Sequence, residues 1–517
     1  MKGKEYMNEN IKIKKILALS IAIILIVTAF IIKNSKEKVQ VQGSTEAAYD
    51  SIFQEDKVID IKVEIPESDW KNILDNPLAE EYKSADVTID GNTIKNVGFR
   101  TKGNLTLRSV ASSESDRYSF RIKLDKYVKG QNLLGLDEIV VNNMYADPSF
   151  MREYLSYEAL KSIGANVPET VFANIYVNGK LQGFYLCIEA IDDSYLERNF
   201  GNNSGNLYKQ EKGSTLQYVE GGSYDSYEQK NGGDLSKTDL KTLIKTLNEM
   251  SQGEKRDIEK VLDVDSALKY IAANTVLGNY DSYSGNMAQN YYLYGQNGKF
   301  TVLPWDYNMS MGGFGGGNIS TIPIDEPVSG VNIKNLPLIN NLLAVAEYKE
   351  KYHGYVKALL TYLENFEERT TELANIIRPY VEADNTKFYT MEQFENNLKY
   401  TQINIDSNTT SNANTNANMN RPENMPKQRP DGVTAASKNT QGNLKPENRP
   451  APPEGGMDKG FMGGDFKGVR GGGGMMGNAP SIMTYIKDRV ENIKKQLSGE
   501  LPTTGNTTMN ENKGRAD

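Results

Sequence analysis

The sequence predicts an α+β chain of two lobes, an antiparallel β-rich N-lobe followed by a mainly helical C-lobe. One N-terminal transmembrane helix precedes the lobes and a disordered insertion interrupts the chain late. Three observations predict this. Residues 58–190 alternate apolar and polar side chains between tight-turn dipeptides, the mark of half-buried strands. After Asp192 the apolar spacing becomes helical. Residues 404–480 lose nearly all their apolar content.

Residues 1–33 form the expected membrane segment. Ile16 to Ile32 is uncharged, at the lower edge of the length that spans a bilayer. Lys2, Lys4, Lys12, Lys14 and Lys15 precede it, and Lys33, Lys36 and Lys38 follow. That excess puts the N-terminus inside and the bulk of the chain across the membrane. The run is long and lacks a clean small-x-small site at its end, so an uncleaved anchor is favoured over a cleaved signal peptide. Residues 34–56 are polar and read as a stalk.

In the N-lobe, 58–190, "VIDIKVEIP" alternates, and "ADVTIDGNTIKNVGFRTKG" reads as a hairpin turning at Asp90-Gly91. "RYSFRIKLDKY" alternates again. "DPSFMREYLSYEALKSIG" reads as the lobe's one helix, with Asp147 as N-cap, Pro148 in the first turn and Gly164 at the C-terminal cap. "TVFANIYVNGKLQGFYLCIEAID" is a hairpin around Asn178-Gly179.

The C-lobe, 191–403, holds three helical stretches, "LSKTDLKTLIKTLNEM", "VDSALKYIAANTVLGNY" and "LPLINNLLAVAEYKEKYHGYVKALLTYLENF". A short strand pair around Asn297-Gly298 interrupts them. Residues 404–480 read as a disordered insertion, since they lack the side chains to build a core. Residues 481–498 form an amphipathic helix expected to dock back on the body, and 499–517 a disordered tail. "LPTTG" at 501–505 resembles a wall-anchoring signal, but no hydrophobic segment follows it, so a chance match is the reading.

Composition excludes several chemistries. The single cysteine, Cys187, rules out an internal disulfide. The single histidine, His353, sits in a charged helical stretch and reads as a surface or interhelical residue. A histidine-rich metal centre is therefore excluded, and a serine-histidine-aspartate triad would rest on His353 alone. Net charge is −8 and no basic stripe stands out, which argues against nucleic-acid binding. Carboxylates and amides must carry any chemistry.

They occur in a suggestive order. "NYDSYSGN" places Asp281 five residues before Asn286, after a helix; "NYYLY" and "KFTVLPW" form a hairpin; Asp306 ends it, followed by the glycine-rich "YNMSMGGFGGGN". Phosphoryl transfer needs a carboxylate to orient the attacking hydroxyl and oxygen ligands to hold magnesium on the nucleotide phosphates. Asp281 fits the first role, Asn286 and Asp306 the second. A sheet with one helix ahead of a helical lobe is the layout of a kinase, here an atypical protein-kinase-like two-lobe fold. Glu189 then ends the strand entering the hinge between lobes. The lysine for the ATP phosphates should lie on an N-lobe strand. Lys123 in "FRIKL" is the first candidate and Lys102 in "FRTKGN" the second. Glu158 or Glu153 could pair with that lysine, and Arg152 could touch phosphate. "TKGNLTL" stands where a glycine-rich phosphate loop would be.

Together "FRTKGN", "FRIKLDK", "DPSFMREYLSYEAL", "IYVNGKLQGFYLCIEAID", "NLYK", "GNYDSYSGN", "NYYLY" and "VLPWDYN" resemble the CotH family of spore-coat atypical kinases. The resemblance covers roughly 58–400 and the terminal helix. It implies a protein-kinase-like fold and magnesium-dependent transfer of phosphate from ATP to protein serine or threonine, with Asp281, Asn286 and Asp306 at the catalytic and metal positions. The family lacks the histidine of the ordinary kinase catalytic loop, and here Asn279-Tyr280 precede Asp281. The resemblance implies a coat-protein or other Ser/Thr-containing protein substrate and a link to the spore surface, while the N-terminal helix, less usual for the family, would anchor the chain in a membrane with its catalytic domain outside the cytoplasm. Some relatives act as surface adhesins, so a catalytically inactive binding module is the alternative. Transfer to a small molecule or glycan would use the same residues.

Overall fold

Three two-residue turns shape both sheets of this protein. Asp90-Gly91, Asn178-Gly179 and Asn297-Gly298 all have positive φ at both positions, the type I′ geometry that matches strand twist. The computed structural model describes residues 47–250, 253–314, 319–401 and 479–505. The expected membrane helix and nearly all of the expected insertion lie outside them, as do residues 34–46 and 506–517. Among the described residues no helix is long and apolar enough to cross a membrane.

The first sheet contains strands β1 (Val58–Glu64), β2 (Lys83–Ile89), β3 (Asn92–Lys102), β4 (Ser119–Lys123), β5 (Glu138–Asn142), β6 (Thr170–Val177) and β7 (Lys180–Glu189). The expected antiparallel sheet is instead a closed barrel, in the order β1-β2-β3-β4-β5-β7-β6. Parallel pairing of β1 with β6, from Val58 opposite Phe172 to Val63 opposite Val177, closes it. Closure removes both edges and lets the inward side chains fill the middle. Phe99 and Phe120 stack there with centroids 4.8 Å apart, and Trp70 of helix α1 (Glu67–Asp75) packs on them.

The barrel carries more than the one expected helix: α1, α2 (Leu105–Ala111) and α3 (Arg152–Ser162). Helix α3 starts later than expected, with Met151 at its N-cap position. Asp147 still serves its first turn, accepting the Arg152 amide N–H at 2.7 Å. Gly164 ends the helix as expected, with φ at +71°. The end of the expected stalk belongs to the body: Tyr49, Ile52 and Phe53 are buried, and the Tyr49 hydroxyl donates to Glu189 at 2.6 Å.

Beyond the barrel come α4 (Asp193–Phe200), β8 (Asn206–Gln210), β9 (Tyr227–Asn231), α5 (Thr238–Asn248), α6 (Ile258–Val261) and α7 (Val264–Leu277). The expected hairpin, β10 (Tyr291–Gln296) with β11 (Lys299–Pro304), joins β8 and β9 in a four-stranded sheet, β11-β10-β8-β9. The rest is helical: α8 (Pro337–Ala344), α9 (Ala346–Tyr362), α10 (Phe366–Ala383), α11 (Met391–Asn397) and α12 (Ile482–Leu497). His353 of α9 contacts Asp325, 2.7 Å away, a structural role as expected. Helix α12 does dock on the body. Its buried Arg489 donates to the carbonyls of Thr275, Ser320 and Ile322. Residues 499–505 are also ordered against it: Asp325 donates its N–H to the Thr503 carbonyl at 2.8 Å. The fold is thus α+β.

Candidate active site

Helix α7 delivers the first carboxylate. Asp263 caps its N-terminus by accepting the amides of Asp265 and Ser266, and Gly278, with φ at +61°, stops it. Three residues later Asp281 enters a cleft of about 940 Å³ between the barrel and the second sheet. Asp281 is 8% exposed. Its Oδ1 accepts from Gln289 Nε2 at 2.8 Å, and its carbonyl from Asn290 Nδ2 at 2.7 Å.

Strand β11 delivers the second. Asp306 follows it in the left-handed region, with φ at 59°, and lines the same cleft. The Asp306 amide donates to the Tyr157 hydroxyl at 3.2 Å, and the next amide, Tyr307, to Glu153 Oε1 at 3.3 Å. Helix α3 thus holds the backbone on which Asp306 rides.

The barrel wall brings both candidate lysines, Lys102 and Lys123, to the cleft. Lys102, at the end of β3, donates to Asn142 Oδ1 at 2.9 Å, and Asn142 Nδ2 donates to Glu153 Oε2 at 2.8 Å. An asparagine therefore links lysine and glutamate. Lys123 also lines the cleft, but it is engaged by Asp125 at 3.2 Å and Glu138 at 3.4 Å.

Other expected site residues lie elsewhere. Asn286 is exposed and absent from the cleft wall that holds Asp281 and Asp306. A tight turn, in which the Gly285 amide donates to the Ser282 carbonyl, turns it outward and returns Gln289 and Asn290 to Asp281. Arg152 is buried off the cleft wall, with Nη1 on Asp147 Oδ1 at 3.0 Å and Nη2 on the Pro480 carbonyl at 3.1 Å. Glu158 faces away from the cleft and is bound by Arg369 and by Tyr362 at 3.2 Å. Glu189 is buried under Arg198 and Tyr49 and also accepts the Glu169 amide at 2.9 Å. Those three hold the barrel and helices together.

The electrostatics are unbalanced. Burial and then the nearby Asp306 charge push Asp281 up to about 7. Burial and Asp306 push Glu153 up to about 8. Burial raises Asp306 too, while Lys102 opposes that rise. Burial pulls Lys102 down, against the field of Asp306 and Glu153. Three carboxyl groups thus share the cleft with Lys102, Lys209 also acting on Asp306, and a bound cation would favour their charged forms.

The donor set fits a hard cation. Asp306 Oδ1 and Asn308 Oδ1 are both shielded from solvent without a hydrogen-bond partner, two residues apart in the cleft wall. Carboxylate and amide oxygens are the ligands magnesium takes. Lys102 lines the same cleft. Sequence reasoning missed Asn142, Asn308 and Asn290. Asn308 was the findable one, two residues after Asp306 in "WDYN". Nothing in sequence spacing links Asn142 or Asn290 to its partners.

Among known proteins, the family model described as CotH kinase protein matches residues 99–411. The inner spore coat protein H of Bacillus subtilis (strain 168) is 27% identical over 269 residues, covering 50% of this chain and 73% of that protein.

Proposed function

The chain belongs to the CotH family, and from that premise we propose that it is a magnesium-dependent kinase of atypical two-lobe, kinase-like fold. It transfers the γ-phosphate of ATP to a serine or threonine of a protein. The carrying observation is the convergence of Asp281, Asp306 and the Lys102–Asn142–Glu153 chain on one cleft.

The roles follow from position. Asp281, raised to about 7, accepts the proton of the acceptor hydroxyl near neutral pH, where a general base works best. Gln289 and Asn290 hold its orientation. Asp306 and Asn308 would hold magnesium, and Lys102 would neutralise phosphate oxygens. When bound, magnesium supplies the positive charge that the transferring phosphoryl group requires. Asn142 fixes Lys102 against Glu153, which also receives the Tyr307 amide, so the lysine and the Asp306 backbone share one support.

The B. subtilis relative is named as an inner coat protein of the spore, which supports a coat-associated site of action and a coat protein as acceptor. The lysine-flanked apolar run of residues 16–32 would tether the catalytic unit to a membrane, on its extracytoplasmic or spore-surface side.

The test is the full chain with labelled ATP, magnesium and a serine-rich protein, beside Asp281→Asn and Asp306→Asn. Both variants should lose at least about 100-fold in rate, the scale of removing one preorganised electrostatic group. Equal incorporation by all three proteins would sink the reading and return the fold to a binding module.

A further inference from the structure

The cleft has a second polar end that the phosphate chemistry does not use. The residues lining it from the barrel alternate along β4 and β5. Ser119 pairs with Lys102 at one end, and Lys123 pairs with Glu138 at the other. From Asn142, beside Lys102, to Glu138 is four residues of β5, roughly 13 Å at the usual strand rise. That is the scale on which a nucleoside triphosphate separates its base from its last phosphate.

At the Glu138 end, two polar atoms are shielded from solvent and unpartnered. One is an acceptor, Asp192 Oδ2; the other is a donor, Arg121 Nε. Both residues line the cleft. Each side chain is also engaged through another atom. Asp192 Oδ1 accepts from Ser194 Oγ at 2.9 Å, and Arg121 Nη1 pairs with Glu138. A buried acceptor and a buried donor left open are costly unless something fills them.

The backbone between the lobes offers little in their place. The Ala190 amide donates to the Glu138 carbonyl, the Ala190 carbonyl accepts the Asp192 amide, and the Asp192 carbonyl accepts the Leu196 amide. Side chains must then do the reading. Tyr292, 4% exposed on β10, and Leu207 on β8 give this cleft apolar surface on the side of the second sheet.

We propose that Asp192 and Arg121 form the nucleoside subsite, with Asp192 Oδ2 accepting from a donor of the base or ribose and Arg121 Nε donating to an acceptor beside it. This rests on the kinase reading of the same cleft and places the nucleotide along it, phosphates at Lys102 and nucleoside at Asp192. Burial, with Glu138 and Asp137 nearby, pushes the Asp192 carboxyl well above its usual range; a ligand donor at Oδ2 would favour its charged form.

The experiment is calorimetric titration of the full chain with Mg-ATP and, separately, with Mg-tripolyphosphate, which has no nucleoside. Asp192→Ala should weaken Mg-ATP at least tenfold and leave Mg-tripolyphosphate unchanged. Ser194→Ala, which removes only the internal partner, should leave both unchanged and so separates the subsite from the start of α4. Mg-ITP, lacking the exocyclic amine, and 2′-deoxy-ATP and 3′-deoxy-ATP, each lacking one hydroxyl, identify the donor. The analogue that binds wild type and Asp192→Ala alike is the one missing it. Equal Mg-ATP affinity in wild type and Asp192→Ala overturns the subsite. Failure of wild type to bind Mg-ATP at all would instead overturn the kinase reading.

Discussion

Lysine choice is the sharpest residue-level question. Two lysines line the cleft, and their partners separate them. Lys102 is set between Asn142 and the fields of Asp306 and Glu153, whereas Lys123 is neutralised locally by Asp125 and Glu138. Lys102→Met should therefore lower the phosphate-transfer rate by about 100-fold or more, and Lys123→Met should leave most of it. A steady-state assay of the two variants decides; equal losses would contradict the assignment. Asn142→Ala keeps the lysine but removes its support. It should raise the KM for ATP and lower kcat together, and lower Tm as well, because it strips one hydrogen-bond partner from each of the buried Lys102 and Glu153. The neighbouring Asp137 carries a separate signature. Burial, then Asp193 and Asp125, raise its carboxyl to about 6. A carboxyl raised on folding binds its proton more tightly when folded, so stability falls as pH rises from about 4 to about 6. Asp137→Asn should raise Tm at pH 7 and not at pH 4, measured by thermal melts.

Among elements, α7 and α12 together hold the catalytic loop in place. The C-terminal carbonyl of Thr275 on α7 receives both Nε and Nη2 of the buried Arg489, at 3.1 and 2.9 Å. A cation at a helix C-terminus meets the negative end of the helix dipole. Arg489→Met removes that charge and its hydrogen bonds to three buried carbonyls, which should cost about 3 kcal/mol in a urea titration. Gly278 is the other half of the joint. Its φ of +61° suits glycine, and a Cβ there would collide with the Tyr485 hydroxyl of α12. Gly278→Ala should both destabilise the chain and lower phosphate transfer, because it pushes α12 from the turn that leads to Asp281. Helix α12 follows the long low-complexity segment in sequence, yet it is part of the active-site support.

For the molecule as a whole, the cleft carries a cost that ligand should offset. Asp281 rises to about 7 and Glu153 to about 8 from ordinary carboxyl values. Both bind protons more tightly in the folded state, so without ligand stability should fall as pH rises from about 4 to about 8. Mg-ATP should flatten that slope and raise Tm, adding about 2.7 kcal/mol at a concentration of 100 times Kd. Thermal melts at pH 5 and pH 8, with and without Mg-ATP, test this; a slope unchanged by ligand would contradict it. The barrel, by contrast, should be indifferent to ligand. Phe120→Ala would open its stacked centre and cost about 3–5 kcal/mol at any pH.

The turns, six of the seven barrel strands and the helix leading to Asp281 were legible in the sequence, because each is set by local terms: alternation, N-G and D-G dipeptides and helical spacing; β5, buried along its whole length and without alternation, was missed. Asp281 and Asp306, singled out by their order along the chain, do line one cleft. Barrel closure was not legible, because parallel pairing of β1 with β6 joins residues more than a hundred positions apart. Strands β8 and β9 were missed because each is five residues long and mostly polar. Asn286 was expected in the site because spacing cannot show which way a turn faces. The asparagine between Lys102 and Glu153, which sets that lysine apart from Lys123, came into view only where β3, β5 and α3 meet. Local sequence determined which residue types could do the chemistry; tertiary packing, which sets burial and the direction of each side chain, decided which of them face the cleft.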